Sequence, residues 1–272
     1  MDILLDPIMD SVKALPVLFI AFLVVEILKN KNIANRVLTH TRLGPPVGAL
    51  LGTIPQCGFS VVAAQLYGMR VVTMGTLIAI FMATSDEAIP ILLVHPHLFG
   101  MMLLLIAAKF VVGAVTGVIV DAIHHEEDDS YEYIEIESCS CGTGIDLWIN
   151  VFFQTLKIFF FILLTNIVMT LLIAWVGEET LSTVLKQNIF LQPLVAGLVG
   201  FIPNCAGSVI LTQLYVTNAL SFGALFTGLT TSAGVGTIAL FAYHKNVKKN
   251  IAILCISYIV STLVGYILII AL

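Results

Sequence analysis

Six stretches of this sequence, at about 11–28, 72–94, 98–121, 149–176, 220–243 and 250–271, are apolar over the length of a membrane crossing. A helix needs about 20 mainly apolar residues to span a hydrocarbon core of roughly 30 Å. In lipid the backbone must satisfy its own N–H and C=O groups, so such stretches become helices. The fold class is therefore all-α, a polytopic membrane protein with the lipid bilayer as its solvent. Composition agrees, because only 11% of the 272 residues are charged, where a soluble domain carries about 25%. The net charge of -5 is local: seven of the seventeen acidic residues fall between Glu126 and Glu137. No basic tract suggests nucleic acid as a partner, and no G-x-x-x-x-G-K-[ST] loop suggests ATP hydrolysis. The start carries Asp2, Asp6 and Asp10 rather than Lys or Arg, so the first apolar run reads as a retained helix and not a cleaved signal peptide. Five scattered cysteines read as free thiols, and no cofactor is implied.

Two further apolar stretches, 45–67 and 191–215, are interrupted at their middles by Ile54-Pro55-Gln56-Cys57-Gly58-Phe59-Ser60 and Ile202-Pro203-Asn204-Cys205-Ala206-Gly207-Ser208. Proline removes a backbone donor and clashes with the preceding turn, so each stretch is expected to break there. The two interruptions are copies. A shift of 148 residues places Pro45 on Pro193, Gly52 on Gly200, Pro55 on Pro203, Cys57 on Cys205, Ser60 on Ser208 and Gln65-Leu66-Tyr67 on Gln213-Leu214-Tyr215. Fourteen of the thirty-three positions from Pro45 to Leu77 are identical across it. Hydrophobicity alone does not align Pro, Cys, Gln and Gly. The chain reads as a first membrane repeat at 1–121, an acidic cytoplasmic linker at 122–148 and a second membrane repeat at 149–272.

The half-stretch 45–54 would make about 15 Å of helix, half the core, and its partner 58–67 the same. Two such pieces form a broken or re-entrant helical hairpin. Each repeat then has three transmembrane helices plus one hairpin, an odd number of crossings, and the second repeat is inverted. The rule that Lys and Arg collect on the cytoplasmic side fits this. Lys29, Lys31, Arg36, Arg42, Arg70, Lys245, Lys248 and Lys249 all lie inside, and Lys186 faces out. If each stretch crossed fully, Arg70 would move outside while the two main clusters stayed inside.

Duplicated halves with paired broken helices point to a secondary transporter whose substrate site lies where the breaks meet. The candidate substrate-binding residues are Pro55, Gln56, Cys57, Gly58 and Ser60 with Pro203, Asn204, Cys205, Gly207 and Ser208. Each cysteine falls just before the second half-helix, where unpaired N–H groups and the positive dipole end favour a thiolate. Two thiolates across a pseudo-two-fold axis would bind a soft cation or trivalent metalloid. A small anion or organic solute could use the same helix ends. The blander alternative is two proline kinks with buried cysteines as packing. Asp86 and Glu87 lie in one apolar stretch and Lys109 in the next, whereas the second half has Gly234, Val235 and Ser257 at the shifted positions. Ionisable groups at that depth are expensive and point to function. Asp86, Glu87 and Lys109 are candidates for proton coupling, with Asp86 a third metal ligand beside Cys57 and Cys205. A static ion pair locking two helices is the structural alternative. A weaker metal site could form from His124, His125, Cys139 and Cys141 in the linker, which reads equally well as a solvated acidic segment.

The paired motifs Gly52-Thr53-Ile54-Pro55-Gln56-Cys57-Gly58 and Gly200-Phe201-Ile202-Pro203-Asn204-Cys205-Ala206-Gly207 resemble those of the prokaryotic ten-helix heavy-metal exporters, also called arsenic efflux proteins or manganese transporters. The resemblance covers nearly the whole chain. Counting each hairpin as two helices gives ten segments, as that family's description requires. It implies multi-pass placement in the cytoplasmic membrane and a metal or metalloid ion as cargo. The expected function is proton-coupled export of a heavy-metal cation or metalloid, not catalysis. A membrane enzyme using a Cys with Asp86 or Glu87 is a further alternative. A homo-oligomer is compatible with the sequence.

Overall fold

The structure is a computed structural model that describes residues 44–54, 57–84, 88–123, 189–203 and 205–271, with isolated helical positions at 19 and between 152 and 167. The first span, most of the fourth, the linker, Pro55, Gln56, Ser85, Asp86, Glu87 and Asn204 lie outside the described residues. Among the described residues the first half contains α1 (Gly44–Gly52), α2 (Cys57–Gly68), α3 (Met74–Ala83), α4 (Ala88–Leu93) and α5 (Phe99–Ile123). The second contains α6 (Gln192–Gly200), α7 (Cys205–Val216), α8 (Phe222–Thr231), α9 (Gly236–Tyr243) and α10 (Val247–Ala271). The 148-residue shift carries both bounds of α1, α2, α3 and α5 onto those of α6, α7, α8 and α10, and the start of α4 onto that of α9.

The repeat extends to backbone detail. Arg70 and Asn218, also 148 apart, have positive φ of 57° and 56°. Each follows the end of a helix closed by the same pair of bonds. Arg70 N donates to Tyr67 O and Val71 N to Leu66 O; Asn218 N donates to Tyr215 O and Ala219 N to Leu214 O. This is the 6→1 and 5→2 pattern of a left-handed helix cap. Thr73 and Ser221 then N-cap α3 and α8, each side-chain oxygen accepting the N–H three residues on.

Two inner spans and two outer ones sort by burial. Met74–Leu93 and Phe222–Tyr243 are 73% and 83% buried inside the protein, against 39% for Pro96–Ile123 and 28% for Val247–Ala271. α5 exposes Leu103, Val111, Val115 and Ile119, and α10 exposes Ile251, Ile259, Leu263 and Ile267. Their spacing by multiples of four gives each outer helix one apolar stripe facing lipid.

Small residues let the helices approach closely, the usual device where lipid supplies no hydrophobic drive between helices. Gly44, Gly48 and Gly52 lie on one face of α1 and meet Thr76, then Thr76 and Ile80, then Ile80 and Ala83 of α3. α1 and α3 therefore run parallel. α6 repeats this on α8, with Gly197 at Thr227 and Gly200 at Gly228 and Thr231. Gly75 of α3 faces Gly117 of α5, where an added Cβ would fall 2.1 Å from the Gly117 carbonyl oxygen and 2.5 Å from Asp121 Oδ1. Gly75→Val is expected to cost about 1–3 kcal/mol by overpacking and to lower the thermal unfolding midpoint in detergent. Gly100→Ala, with nothing within 4 Å of the new Cβ, serves as the neutral control.

The halves exchange elements. α2 packs along α9, and α7 packs on α4. Gly236 abuts Ser60 and Gly68 abuts Tyr243, so α2 and α9 are parallel. The Tyr67 and His244 rings meet at 4.9 Å. α3 and α8 also touch each other.

One expectation is corrected. The stretches 72–94 and 220–243 read as unbroken crossings, but each is interrupted, between Ala83 and Ala88 and between Thr231 and Gly236. The causes differ. Pro90 sits in the first turn of α4, where its missing N–H is harmless but continuation from α3 would clash. In the second half Gly234 takes a φ of 52°, a left-handed conformation that glycine adopts without steric cost.

Candidate functional site

Among the described residues the helices are interrupted at four places, and these are associated in cross-half pairs. Cys57 and Cys205 are the first residues of α2 and α7; their side chains lie outside the described residues, as does the side chain of Ala206. Ser60, fully buried one turn into α2, lies against Gly236, the first residue after the second half's inner break. Ser208, 2% exposed on α7, has the equivalent place, and α7 packs on α4, the helix that follows the first half's inner break. Gly58 is buried, and Gly207 lies close to the Val199 carbonyl of α6. Pro203 is half-buried in the turn after α6. Each Pro-x-Cys break is thus associated with an inner break from the opposite half.

Lys109 joins the two inner breaks. It is fully buried on α5, and its Nζ donates to the Thr84 carbonyl at the end of α3 and, at 2.8 Å, to the Leu229 carbonyl in the last turn of α8. Carbonyls at helix C-termini have no intrahelical donor and carry the negative end of the dipole. The ammonium supplies both the hydrogen bonds and the charge. Asp86 and Glu87, the proposed partners of Lys109, lie outside the described residues.

Asp121 is a further acidic group that sequence reasoning did not select. Its Oδ2 accepts from Thr73 Oγ1 at 2.6 Å and its Oδ1 from Gly75 N at 2.7 Å, so a carboxylate from α5 caps α3. The second half solves the same problem differently. Ile269 stands at the shifted position, and Gln192 of α6 accepts from Ser221 N at 2.9 Å. Gln65 was visible only as a repeated letter. It is fully buried on α2, and among the described residues neither its Oε1 nor its Nε2 has a hydrogen-bond partner, whereas its repeat mate Gln213 is exposed. An unsatisfied buried amide costs about 1–3 kcal/mol.

Among the described residues no three His, Cys, Asp or Glu side chains come together as a metal cluster. The linker candidates His124, His125, Cys139 and Cys141 lie outside the described residues. The sequence matches the family described as "Putative, 10TM heavy-metal exporter" over residues 11–178 and 148–271. The chain belongs to that family. No curated protein and no solved structure matches it. Membership of this exporter family gives the apolar helices their setting, a lipid bilayer, and gives the chain a general role in metal transport. Within the exporter, the fully buried ammonium of Lys109 ties the two halves together.

Proposed function

We propose that this chain is a multi-pass secondary transporter of a prokaryotic cytoplasmic membrane that exports a heavy-metal cation or metalloid in exchange for protons, and is not an enzyme. Two repeats, 1–121 and 149–272, move against each other and are joined by a cytoplasmic linker at 122–148. The observation that carries this reading is Lys109, whose one ammonium holds the broken ends of α3 and α8 from opposite halves. A group that bonds both halves at their interruptions is where a change in charge would alter their fit.

The inverted, re-entrant arrangement draws support from helix direction. α1 and α3 run parallel, which requires α2 to double back between them. α9 runs with α2, so a broken span α8–α9 of constant direction runs against α3. Gly68 beside Tyr243 also brings Arg70 to the end of the molecule that carries Lys245, Lys248 and Lys249. That is the location expected of a hairpin, and it puts these cations on one side.

In the mechanism, Cys57 and Cys205 open half-helices whose N-termini favour thiolates. Together with the side chains of Gln56, Asn204, Ser60 and Ser208 they would hold a soft ion. Asp86 or Glu87 accepts the proton that enters as the ion leaves, and Lys109 re-pairs. Inside-out vesicles bearing the full chain, given a proton gradient and a panel of arsenite, manganese, zinc and cadmium, test this directly. One ion is expected to accumulate uphill. Asp86→Asn or Glu87→Gln is expected to abolish the gradient-driven component and leave residual exchange; unchanged uphill flux in both variants removes the carboxylates from the mechanism.

A further inference from the structure

Gln65 is fully buried, and among the described residues neither end of its carboxamide has a partner. Such a group weakens the structure it sits in. The repeat does not account for it, because Gln213 at the shifted position is exposed. Its place on α2 does. Positions 57, 61, 65 and 68 are spaced by four, four and three residues, so they form one ridge of the helix. At one end of the ridge is the break at which α2 starts, eight residues or about 12 Å of helix from Gln65. At the other end, next to Gln65, is Gly68, where an added Cβ would fall 2.7 Å from the Tyr243 carbonyl oxygen.

Here α2 is closed against the opposite half. Gly68 abuts Tyr243, and the Tyr67 ring, one residue earlier, meets the His244 ring at 4.9 Å. The second half's side of this contact is braced from α10. Asn250, fully buried, donates from Nδ2 to the His244 carbonyl at 2.9 Å. Its Oδ1 is then the acceptor for the imidazole N–H at Nδ1, 2.6 Å away. The first half has no such brace, since His95, Pro96 and Met102 stand at the places of Tyr243, His244 and Asn250. The brace holds α9 to α10, whereas the contacts that cross to α2 are a ring against a ring and a glycine against a backbone. Contacts of that kind weaken within about an ångström of separation.

We propose that the Tyr67–His244 and Gly68–Tyr243 contacts close the exporter at the end that carries Arg70 and Lys245, and that Gln65, directly behind them, lines the passage to the Cys57 break once they part. This rests on the reading in which the two repeats move against each other. The carboxamide oxygen accepts and its nitrogen donates, so in the open state Gln65 bonds the water or hydroxyl groups that clothe the entering ion. A neutral amide holds such a shell without competing with thiolates for a soft ion. In the closed state the same amide is unmatched, and that cost favours reopening. Gln65 is in this sense a positioning residue for the cargo, kept polar at the expense of the closed state.

Two readouts on the full chain test this without any cargo. In inside-out vesicles, Gln65→Cys is treated with a membrane-impermeant maleimide and the modified position is located by peptide mass spectrometry, which separates it from the native thiols. Leu77→Cys, at a fully buried apolar position of α3, gives the blank. Position 65 is expected to react well above that blank, and several-fold faster when Gly68→Ala props the contact with Tyr243 apart. If the double variant does not fold, His244→Ala serves as the prop. Reaction no faster than the blank, or unchanged by both props, overturns the closure. The second readout is thermal unfolding of Gln65→Leu, which is expected to rise by about 2–6 °C because an unmatched amide is gone. A lower midpoint makes the amide an ordinary structural group and overturns its role. Where the unmodified protein accumulates an ion of the panel, Gln65→Leu should cut uptake at least tenfold at low ion concentration despite its higher midpoint; unchanged uptake also overturns that role. If no ion accumulates while position 65 still reacts, the exporter reading falls and the closure stands.

Discussion

Lys109→Met is expected to bring export to background and to lower the unfolding midpoint by several degrees. Methionine fills much of the same volume, so the loss is electrostatic and not a cavity. Two hydrogen bonds from a charged donor disappear, each worth about 1.5–3 kcal/mol, and the Thr84 and Leu229 carbonyls remain inside the protein without it. Because those carbonyls belong to α3 and α8, the damage falls on the joint between halves and not on either half alone. Lys109→Arg restores the charge but not the fit, since a planar guanidinium cannot replace a compact ammonium between two converging carbonyls. It should regain part of the stability and little of the flux. Vesicle flux and thermal unfolding on the same preparations separate the two effects. Full flux in Lys109→Met would show that the charge is structural only.

The second large effect is at the cysteines. Cys57→Ser or Cys205→Ser is expected to give near-complete loss of uptake of arsenite, zinc or cadmium into inside-out vesicles. A serine hydroxyl does not ionise near neutral pH and is a hard donor, so a site built for a soft ion loses its affinity even if the helix start is unchanged. A carrier that held a small anion on backbone N–H groups would keep its flux in both variants. That result would leave the thiols as packing and move the cargo to the helix ends.

Some of this site was legible in the sequence. Pro55 and Pro203 announced two helix breaks because proline acts the same way in both halves, so the repeat and the breaks reinforced each other. The inner breaks were hidden for the opposite reason. The apolar runs resume within a few residues on the far side of Thr84–Glu87 and of Ser232–Val235, so each stretch still has the length of a crossing, and the two halves stop the helix by different means, Pro90 in one and Gly234 in the other. A comparison of the repeats therefore cancelled the signal. Lys109 stood out as a charge too deep to be accidental, but its described partners are backbone carbonyls, which no sequence letter records. Asp121 looked like an ordinary residue at a helix end, and only the approach of Thr73 and Gly75 made it a cap. The exchange of α2 with α9 and of α7 with α4 was invisible for a similar reason. It rests on small residues such as Ser60, Gly68 and Gly236, whose spacing within one helix carries no mark of the partner.

That exchange governs how the chain is born. α2 leaves the ribosome without the surface it packs on, which is completed only at Tyr243, about 175 residues after Gly68. At elongation rates of about 5–20 residues per second this is a wait of roughly 10–35 s. Throughout it, the buried face of α2, with Gln65 and Ser60 on it, has lipid or water in place of α9. The first half thus enters the bilayer as an unfinished piece that matures only when the second half arrives, and a nascent chain stalled in the linker is an open target for membrane quality-control proteases.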